Sequence, residues 1–492
     1  MDAPPPSDTG WCTLPTVTDA PGAAPSPRTF KFPTAYTILF ALIAVVAAAT
    51  WFVPAGQYER QRNEQLDKDV PIPGTYHTVD ASPQGLRAVL IAPIAGFYNP
   101  DTNQAAAIDV ALFVLIIGGF LGVVTKTGAI DAGIGGAMSA LRGREKWMIP
   151  LLMALFAAGG TIYGMAEESL AFYALIIPVM IAAGYDSLTG VAIIMLGAGV
   201  GTLGSTINPF ATVIASNAAG VPFTAGMPLR FAILVIGWLA CVAYVMRYAE
   251  RVRKDPSRSL VADMATRNRE HFLKSQSGSG TPTLTAVRKI ILVIFGLSFA
   301  VMIWGVSVAG WWMAQMSALF LAAAILVALI VRMGEEEFTS TFVNGARDLL
   351  GVALVIGIAR GIVVVMDAGK ITDTILYWSE QAVDGLSTIA FINVMFVLEL
   401  ILSFFVPSSS GLAVLTMPIM APLADFSNVG RDVVVTAYQS ANGLLNLINP
   451  TFAVVMGGLA IGRVPYNRWL QFTWPLVLVL AAIIVVAISL AA

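Results

Sequence analysis

Charged residues are scarce in this chain: 12% of its 492 residues are charged, whereas 57% are hydrophobic. Soluble proteins average about 25% charged residues, so this composition excludes the soluble globular class. Several apolar stretches approach the roughly 20 residues that a helix needs to cross a bilayer. Because a helix satisfies its own backbone hydrogen bonds, as lipid demands, the composition predicts an all-α polytopic membrane protein.

Cysteine and histidine are almost absent, with two residues of each. Cys12 lies in a polar segment and Cys241 in an apolar one, so no disulfide framework is predicted. His77 and His271 lack a second ligand at metal spacing, so we predict neither a metal site nor a cofactor. The chain also lacks a His-Glu-x-x-His motif and a Walker phosphate loop. These absences argue against a membrane-embedded enzyme and favour a transporter, with a channel as the alternative.

Basic residues set the expected orientation. Arg28 and Lys31 precede the first apolar span, so the positive-inside rule puts the N-terminus in the cytoplasm. The same rule explains the basic residues of a polar segment in the middle of the chain, and no nucleic-acid binding is predicted. The expected divisions are a disordered cytoplasmic tail (1–31), a first membrane repeat (32–247), a cytoplasmic linker (248–289), and an extra span with a second, inverted repeat (290–492).

Two apolar segments repeat one pattern of helix-breaking residues. Pro178 is followed by Asn208 after 30 positions, and Pro418 is followed by Asn449 after 31. Each asparagine precedes a proline, and the two asparagines are 241 residues apart. Matched breaks in two halves of a membrane protein are the best sequence indication of a transporter's binding site. The alternative explanation is that Gly and Pro only allow helices to pack or kink.

Each half is also expected to contain a re-entrant hairpin. The arms of the first are predicted over about 147–164 and 170–183. An additional span over 290–306 inverts the second half, so the broken elements of both halves meet near the membrane midplane. Unwound backbone must face protein, water or a polar ligand, because lipid cannot satisfy it. Helix N-termini favour a carboxylate there, and free carbonyls favour a cation.

The two predicted hairpin tips differ in chemistry. Glu167 and Glu168 lie at the first tip, and three serines lie at the second. Serine hydroxyls beside a helix start suit a carboxylate, whereas adjacent glutamates suit an ammonium or guanidinium group, sodium or a proton. Like charges about 4 Å apart repel by about 4 kcal/mol at an effective dielectric of 20. An amino acid, basic ones included, therefore fits both tips better than a dicarboxylate does.

Polar side chains at the tips and breaks complete the predicted site, because hydroxyls and amides can both donate and accept hydrogen bonds. The substrate-binding candidates are Glu167, Glu168, Ser169, Asn208, Ser408, Ser409, Ser410, Asn442, Asn449 and Thr451. The candidates for coupling to Na⁺ or H⁺ are Ser205, Thr206, Asn208, Asn446, Asn449 and Glu168. Any single asparagine could equally hold helices together.

Arg360 and Glu399 are charges within apolar stretches of the second half. They could form a buried structural pair or contact the substrate and the coupling ion. The pair is the favoured interpretation, because losing either partner of a buried ion pair is costly. If Arg360 instead reached the binding site, the charge balance would favour dicarboxylates.

Five separated segments of the chain resemble one carrier family. They are Phe32–Tyr36 with Trp51–Gly56, the tip Ala166–Ser169, the break Gly204–Thr212, and Phe405–Gly411. Together they resemble the YfcC branch of the DcuC-type carriers, within the ion transporter superfamily. The resemblance covers nearly the whole membrane part and misses the tail and the linker.

This resemblance implies a secondary active transporter of the bacterial cytoplasmic membrane. It implies a homodimeric scaffold and a transport domain with two re-entrant hairpins, working by alternating access. Substrates of the family include four-carbon dicarboxylates and amino acids, some of them basic. The related divalent anion:sodium symporters carry Ser-Asn-Thr-like tips in both halves, whereas here the tips are Glu-Glu-Ser and Ser-Ser-Ser. This departure argues against a dianionic substrate and against the usual sodium sites.

Overall fold

The computed structural model describes residues 35–63, 68–100, 102, 104–130, 132–133, 136, 144–273 and 283–492. Helices account for most of this part of the chain, which confirms the predicted all-α class. The predicted disordered tail, residues 1–31, lies outside the described residues.

In the first half, the chain forms one hairpin of helices and one broken helix. The helices are α1 (Ala35–Ala49), α2 (Leu86–Ala95), α3 (Ile108–Lys126), α4 (Met148–Tyr163), α5 (Leu170–Ala182), α6 (Ser187–Leu203), α7 (Ile214–Ala219) and α8 (Met227–Lys254). A short turn of 3₁₀-helix, Glu167–Ser169, connects α4 to α5 at the predicted first tip. Between α6 and α7 the chain unwinds and then forms a π-helical turn, Pro209–Val213, so the predicted break is present.

The rest of the chain contains a second hairpin and a second broken helix. Its helices are α9 (Ala265–Leu273), α10 (Ala286–Ala309), α11 (Met313–Val331), α12 (Glu335–Asp348), α13 (Leu350–Ala368), α14 (Thr372–Val383), α15 (Thr388–Phe405), α16 (Ser409–Phe426), α17 (Arg431–Leu445), α18 (Ala453–Gly462) and α19 (Tyr466–Ala491). Helices α15 and α16 form the hairpin, and α17 and α18 flank the break. The same order of elements therefore occurs in both halves, while their inverted orientation stays a prediction.

Helix length separates two groups of apolar helices. Among the described residues, seven helices are long and apolar enough to cross a membrane: α3, α8, α11, α13, α15, α16 and α19. The arms of the first hairpin are shorter, with 16 residues in α4 and 13 in α5. At 1.5 Å per residue, α5 spans only about 20 Å of a hydrocarbon core that is about 30 Å thick. An arm of this length suits a hairpin that turns back inside the membrane.

The two broken helices lie at the centre of the molecule. Every residue of α6 from Ser187 to Ala198 is buried, as is every residue of α17 from Val433 to Leu444. Asp186 is the N-cap of helix α6, and its Oδ1 accepts the Thr189 backbone N–H at 2.8 Å. The hairpin helix α4 packs along α6, and α15 packs along α17. The helical parts that precede the two breaks are therefore enclosed by protein.

Three features of the fold were not predicted. Between α1 and α2 lie two antiparallel ribbons, in which β1 (Gly56–Gln57) pairs with β4 (His77–Thr78) and β2 (Arg60–Asn63) with β3 (Lys68–Pro71). An additional helix, α12, packs against α3. The segment 248–289, predicted as a linker, is partly helical and is attached to the start of α6: the Asn268 amide donates to Ser187 Oγ at 2.9 Å and the Ser259 hydroxyl to Asp186 Oδ2 at 2.6 Å. These elements are short or polar, so they lack the long runs of apolar residues from which the helices were predicted.

Helices α3 and α12 approach each other at glycines, which gives the first testable prediction. A Cβ added to Gly118 would lie 2.6 Å from the Gly345 carbonyl oxygen, and a Cβ on Gly345 would collide with the Gly118 carbonyl. Because the opposing atoms are backbone, Gly345→Ala should destabilise the protein by about 1–3 kcal/mol through overpacking. The Tm of the purified protein measures this loss. Gly296→Ala in α10, where a Cβ would meet nothing within 4 Å, is the control, and an equal loss in both variants would contradict the explanation.

Candidate functional site

The first break contacts helix α17 of the second half where α6 and α17 cross. The Gln439 amide of α17 donates to the Ser205 carbonyl at 2.9 Å, and the Ser440 hydroxyl donates to the Leu203 carbonyl at 3.2 Å. Gly443 lies so close to the backbone of Leu203 that a side chain would not fit. Side chains of the second half thus satisfy carbonyls that the first break leaves free.

The first break is also joined to the first hairpin tip. Asn208 Oδ1 accepts the backbone N–H groups of Phe210 at 2.8 Å and Ala211 at 3.2 Å, so this amide caps the helical turn that follows. Its side chain packs on Gly164, which ends α4 with φ +76°. A Cβ at Gly164 would lie 2.7 Å from the Asn208 amide. Glycine is therefore required there both by backbone conformation and by space.

Asn449 joins the second break to the second tip in the same way. Its Nδ2 donates to the carbonyls of Ser403 at 3.1 Å and Phe404 at 3.4 Å, and its Oδ1 accepts the Thr451 N–H at 3.0 Å. The Ser403 carbonyl needs this partner, because Pro407, four residues further on, has no N–H. Positions 164 and 404 to 405 differ by about the same 241 residues as the two asparagines. The sequence repeat is therefore matched by a repeated contact.

One cavity of about 880 Å³ contains both hairpin tips. Among its lining residues are most of the predicted substrate-binding residues: Glu167, Glu168, Ser169, Asn208, Ser408, Ser409, Ser410, Asn442 and Thr451. The predicted ion-coupling residue Asn446 lines it as well. A cavity of this size is typical of a site for a small molecule.

The glutamates of the first tip are held differently. Glu168 is 4% exposed, and its Oε2 accepts the Ala166 backbone N–H at 3.1 Å. Glu167 is half-buried, and the charged groups that interact with it are Glu168, Asp109 and Arg360. The Glu168 carboxylate thus has a structural bond within its own tip, whereas Glu167 is the more available to a ligand.

The serine tip is the start of a helix. Helix α16 begins at Ser409, and the Ser408 hydroxyl accepts the Gly411 N–H at 3.2 Å as its N-cap. The Tyr438 hydroxyl donates to the Ser409 carbonyl and supports the tip from α17. The N-terminus of a helix carries a partial positive charge. The second tip therefore presents hydroxyls and a helix dipole that favour an anionic group.

The charges around the cavity are unequal in sign. The described lining residues include five acids (Asp109, Glu167, Glu168, Asp367 and Asp373) and three bases (Arg60, Arg360 and Lys370). Arg60 and Asp373 form an ion pair at 2.7 Å. When this pair is set aside, four acids and two bases remain among the described lining residues. This excess of carboxylates favours a ligand that has a cationic group.

Some predicted site residues lie outside the cavity lining. Asn449 uses its amide on the backbone, as described above. Ser205 Oγ lies 3.0 Å from Thr212 Oγ1, and Thr206 Oγ1 lies 3.1 Å from Thr161 Oγ1. These three side chains therefore hold the breaks in place. Asn446, by contrast, donates to Asn442 Oδ1 at 3.1 Å, and its own Oδ1 accepts no hydrogen bond from any described residue.

The predicted buried pair of Arg360 and Glu399 does not form. Arg360 is exposed and lines the cavity from α13. Glu399 lies on α15 at 0% exposure, beside Thr416 of α16, and forms no ion pair within the described part of the chain. Both residues lie in apolar stretches, which says nothing about the direction in which each side chain points. The packing of α13 and α15 determines that the Arg360 side chain lines the cavity and that the Glu399 side chain is buried away from it.

Other lining residues were missed by the sequence prediction. An ion pair of Arg60 and Asp373 connects strand β2 to α14. Asp367 lies in the last turn of α13, and Lys370 lies between α13 and α14. Trp312, which precedes α11, was also missed. The charged residues carried no usable signal, since polar residues near span ends are common. From the sequence alone, the Trp311-Trp312 pair indicates only an aromatic anchor at the membrane interface.

The apolar spans, the broken helices and the shared cavity together define a multi-pass membrane transporter. Residues 32–492 match the family described as C4-dicarboxylate anaerobic carrier, DcuC. The chain belongs to this family, which confirms the predicted membership.

Two relatives are similar over nearly their full length. A Haemophilus influenzae (strain Rd) protein described as uncharacterized is 36% identical, with 95% of this chain and 99% of the relative covered. Escherichia coli (strain K12) YfcC, named as a candidate basic amino acid antiporter, is 32% identical, with 90% of this chain and 93% of the relative covered.

Two solved structures are more distantly similar. The YdaH transporter of Alcanivorax borkumensis has a TM-score of 0.41 at 14% identity, covering 93% of this chain and 98% of YdaH. Neisseria gonorrhoeae MtrF, described within a class of antimetabolite efflux pumps, has a TM-score of 0.41 at 15% identity, covering 94% of this chain and 95% of MtrF.

Proposed function

We propose that the protein is a secondary active transporter of the bacterial cytoplasmic membrane that moves a basic amino acid by alternating access. The observation that carries the proposal is the single cavity lined by two tips of opposite chemistry. The substrate's α-carboxylate binds at the serine tip, Ser408 to Ser410. Its cationic side chain binds near Glu167. A molecule with a charge of each sign satisfies both tips at once, which a dianion does not.

The charges that line the cavity and the name of a relative both support a basic amino acid as the substrate. The lining acids exceed the lining bases even after the Arg60–Asp373 pair is set aside. Burying a charge without a partner is costly, so a cationic substrate is favoured over an anionic one. The name of the Escherichia coli relative, which refers to basic amino acid antiport, agrees with the charge argument.

A four-carbon dicarboxylate is the second candidate. It is favoured by the family description and by Arg360, which lines the cavity instead of pairing with Glu399. Lys370 would add a second positive group. In this alternative, the glutamates of the first tip would have to be protonated or paired with the two bases.

The transport mechanism we propose uses the repeated halves. The hairpins are re-entrant, the two halves are inverted, and the N-terminus is cytoplasmic, with a homodimer as the assembly. Transport is driven by exchange or by coupling to Na⁺ or H⁺. Asn446 is the coupling candidate that the geometry supports best, because the residue lines the cavity and its buried carbonyl oxygen accepts no hydrogen bond from a described residue.

Uptake into proteoliposomes tests this function. Vesicles loaded with unlabelled arginine should take up labelled arginine in a saturable way, faster than empty vesicles do. Lysine and ornithine should compete, whereas leucine and succinate should not. Saturable uptake of labelled succinate, with none of labelled arginine, would establish the dicarboxylate alternative instead, and unsaturable uptake without counterflow would indicate a channel. Imposed Na⁺ and pH gradients, applied separately to empty vesicles, identify the coupling ion.

A further inference from the structure

Trp312 presents a fixed aromatic surface to the cavity. Its indole Nε1 donates to Asp109 Oδ2 at 2.7 Å, and its backbone N–H donates to Gln315 Oε1 at 3.1 Å. The side chain is 46% exposed although it lines the cavity. The hydrogen bond at the ring edge sets the orientation of the indole and leaves its face free.

A second ring lies beside the first. The Phe210 ring centroid is 5.7 Å from that of Trp312, with an angle of 53° between the ring planes. Phe210 follows the first break, whereas Trp312 precedes α11, so two distant parts of the chain supply the two rings. Both rings line the cavity.

Two carboxylates accompany these rings. Asp109, at the start of α3, has one oxygen bound by Trp312 and accepts the Val110 N–H at 2.8 Å with the other. Glu167 of the first tip is close enough to Asp109 to interact with it electrostatically. Each carboxylate oxygen has two lone pairs, so Asp109 can still accept a hydrogen bond from a ligand. Aromatic faces and carboxylates together suit a cation.

We infer that Asp109, Glu167, Phe210 and Trp312 form a subsite for the cationic end of the substrate that prefers a planar guanidinium to an ammonium. A guanidinium stacks on aromatic faces and forms bidentate hydrogen bonds with a carboxylate. An ammonium is more strongly hydrated and cannot stack. The inference rests on the proposed function, because it assumes that a basic amino acid enters this cavity.

Three ligands of similar length separate the contributions to this subsite. Arginine carries a guanidinium, lysine an ammonium, and citrulline a neutral group of the same shape as guanidinium. Binding of each to the full-length protein in nanodiscs is measured by calorimetry. The wild type should bind arginine about 10-fold more tightly than lysine, as a desolvated cation–π contact allows, and citrulline more weakly than both.

Variants of Trp312 and Asp109 test the assignment. Trp312→Leu should weaken arginine binding about 10-fold and lysine binding less than about 3-fold. Trp312→Phe, which keeps an aromatic face, should retain part of the preference. Asp109→Asn, which keeps an acceptor for the indole, should weaken both cations and leave citrulline unchanged. Trp474→Leu, at a tryptophan of α19 that is 57% exposed and outside the cavity lining, is the control.

The outcomes distinguish this inference from the proposed function. If the wild type binds neither arginine nor lysine, the proposed function fails. If the wild type binds both and Trp312→Leu weakens them equally, the tryptophan is only structural and the subsite is disproved. The size-exclusion profile and the Tm of each variant identify a folding defect. If Trp312→Leu does not fold, the ratio of arginine to lysine affinity in Trp312→Phe and Asp109→Asn tests the subsite instead.

Discussion

Glu167→Gln is expected to lower the affinity for a basic amino acid about 10- to 100-fold. A hydrogen bond to a charged group is worth about 1.5–3 kcal/mol, and 1.4 kcal/mol is a factor of ten. Glutamine keeps the size of the side chain and removes its charge. Glu167 is half-buried in the lining of the cavity, whereas Glu168 is buried and its carboxylate accepts the Ala166 backbone N–H. The loss should therefore appear in substrate binding and not in folding.

Binding and transport of arginine by the purified variant measure this effect. Glu336→Gln, at an exposed position in the first turn of α12, is the matched control and should behave as the wild type does. Arg360→Gln supplies the opposite test, because it removes a base from the same cavity. If Glu167→Gln leaves arginine transport intact while Arg360→Gln abolishes succinate transport, the cavity is a dicarboxylate site.

Asn449→Leu is expected to cause the largest loss of stability, about 2–6 kcal/mol. Leucine has a similar size but cannot bind the Ser403 carbonyl or the Thr451 N–H, which Asn449 satisfies at 3.1 Å and 3.0 Å. Each buried backbone group left without a partner costs about 1–3 kcal/mol. The Phe404 carbonyl is spared, because the Thr451 hydroxyl also donates to it, at 2.7 Å.

Thermal unfolding in detergent or nanodiscs measures this loss, together with the yield of monodisperse protein. Asn208→Leu should give a related loss, since it leaves the Phe210 and Ala211 N–H groups without their acceptor. Asn467→Leu, at a half-buried asparagine of α19 outside the cavity lining, is the control. A Tm for Asn449→Leu equal to that of the control would show that the amide does not hold the break.

Much of the architecture could be read from local residue patterns. The breaks follow from Gly204 and the Asn-Pro pairs, because proline removes a donor and asparagine can bond nearby backbone. The first hairpin follows from the Gly159-Gly160 pair and the polar tip between two short apolar arms. The ribbons between α1 and α2 could not be read in this way, since strands of two to four residues carry almost no periodic signal.

The role of the asparagines shows the limit of a local pattern. Sequence placed Asn208 and Asn449 at the breaks and left open whether they bind substrate, an ion or backbone. In the structure both amides bind backbone, and only Asn208 also lines the cavity. The choice depends on which side of an unwound turn faces the other hairpin, and this is a property of packing.

The sequence by itself determined the membrane class, the positions of the breaks, the residues of both tips and the carrier family. The membrane class, the breaks and the tips depend on apolar length and on the backbone preferences of Gly, Pro and Asn, which act over a few residues, whereas the family was indicated by the resemblance of separated segments. Only the tertiary structure decided that Arg360 faces the cavity while Glu399 is buried away from it, and that Trp312 and Asp109 lie beside the first tip. The physical reason is that the direction of a side chain on an apolar helix is set by the helices packed around it, and their arrangement brings together residues that are hundreds of positions apart.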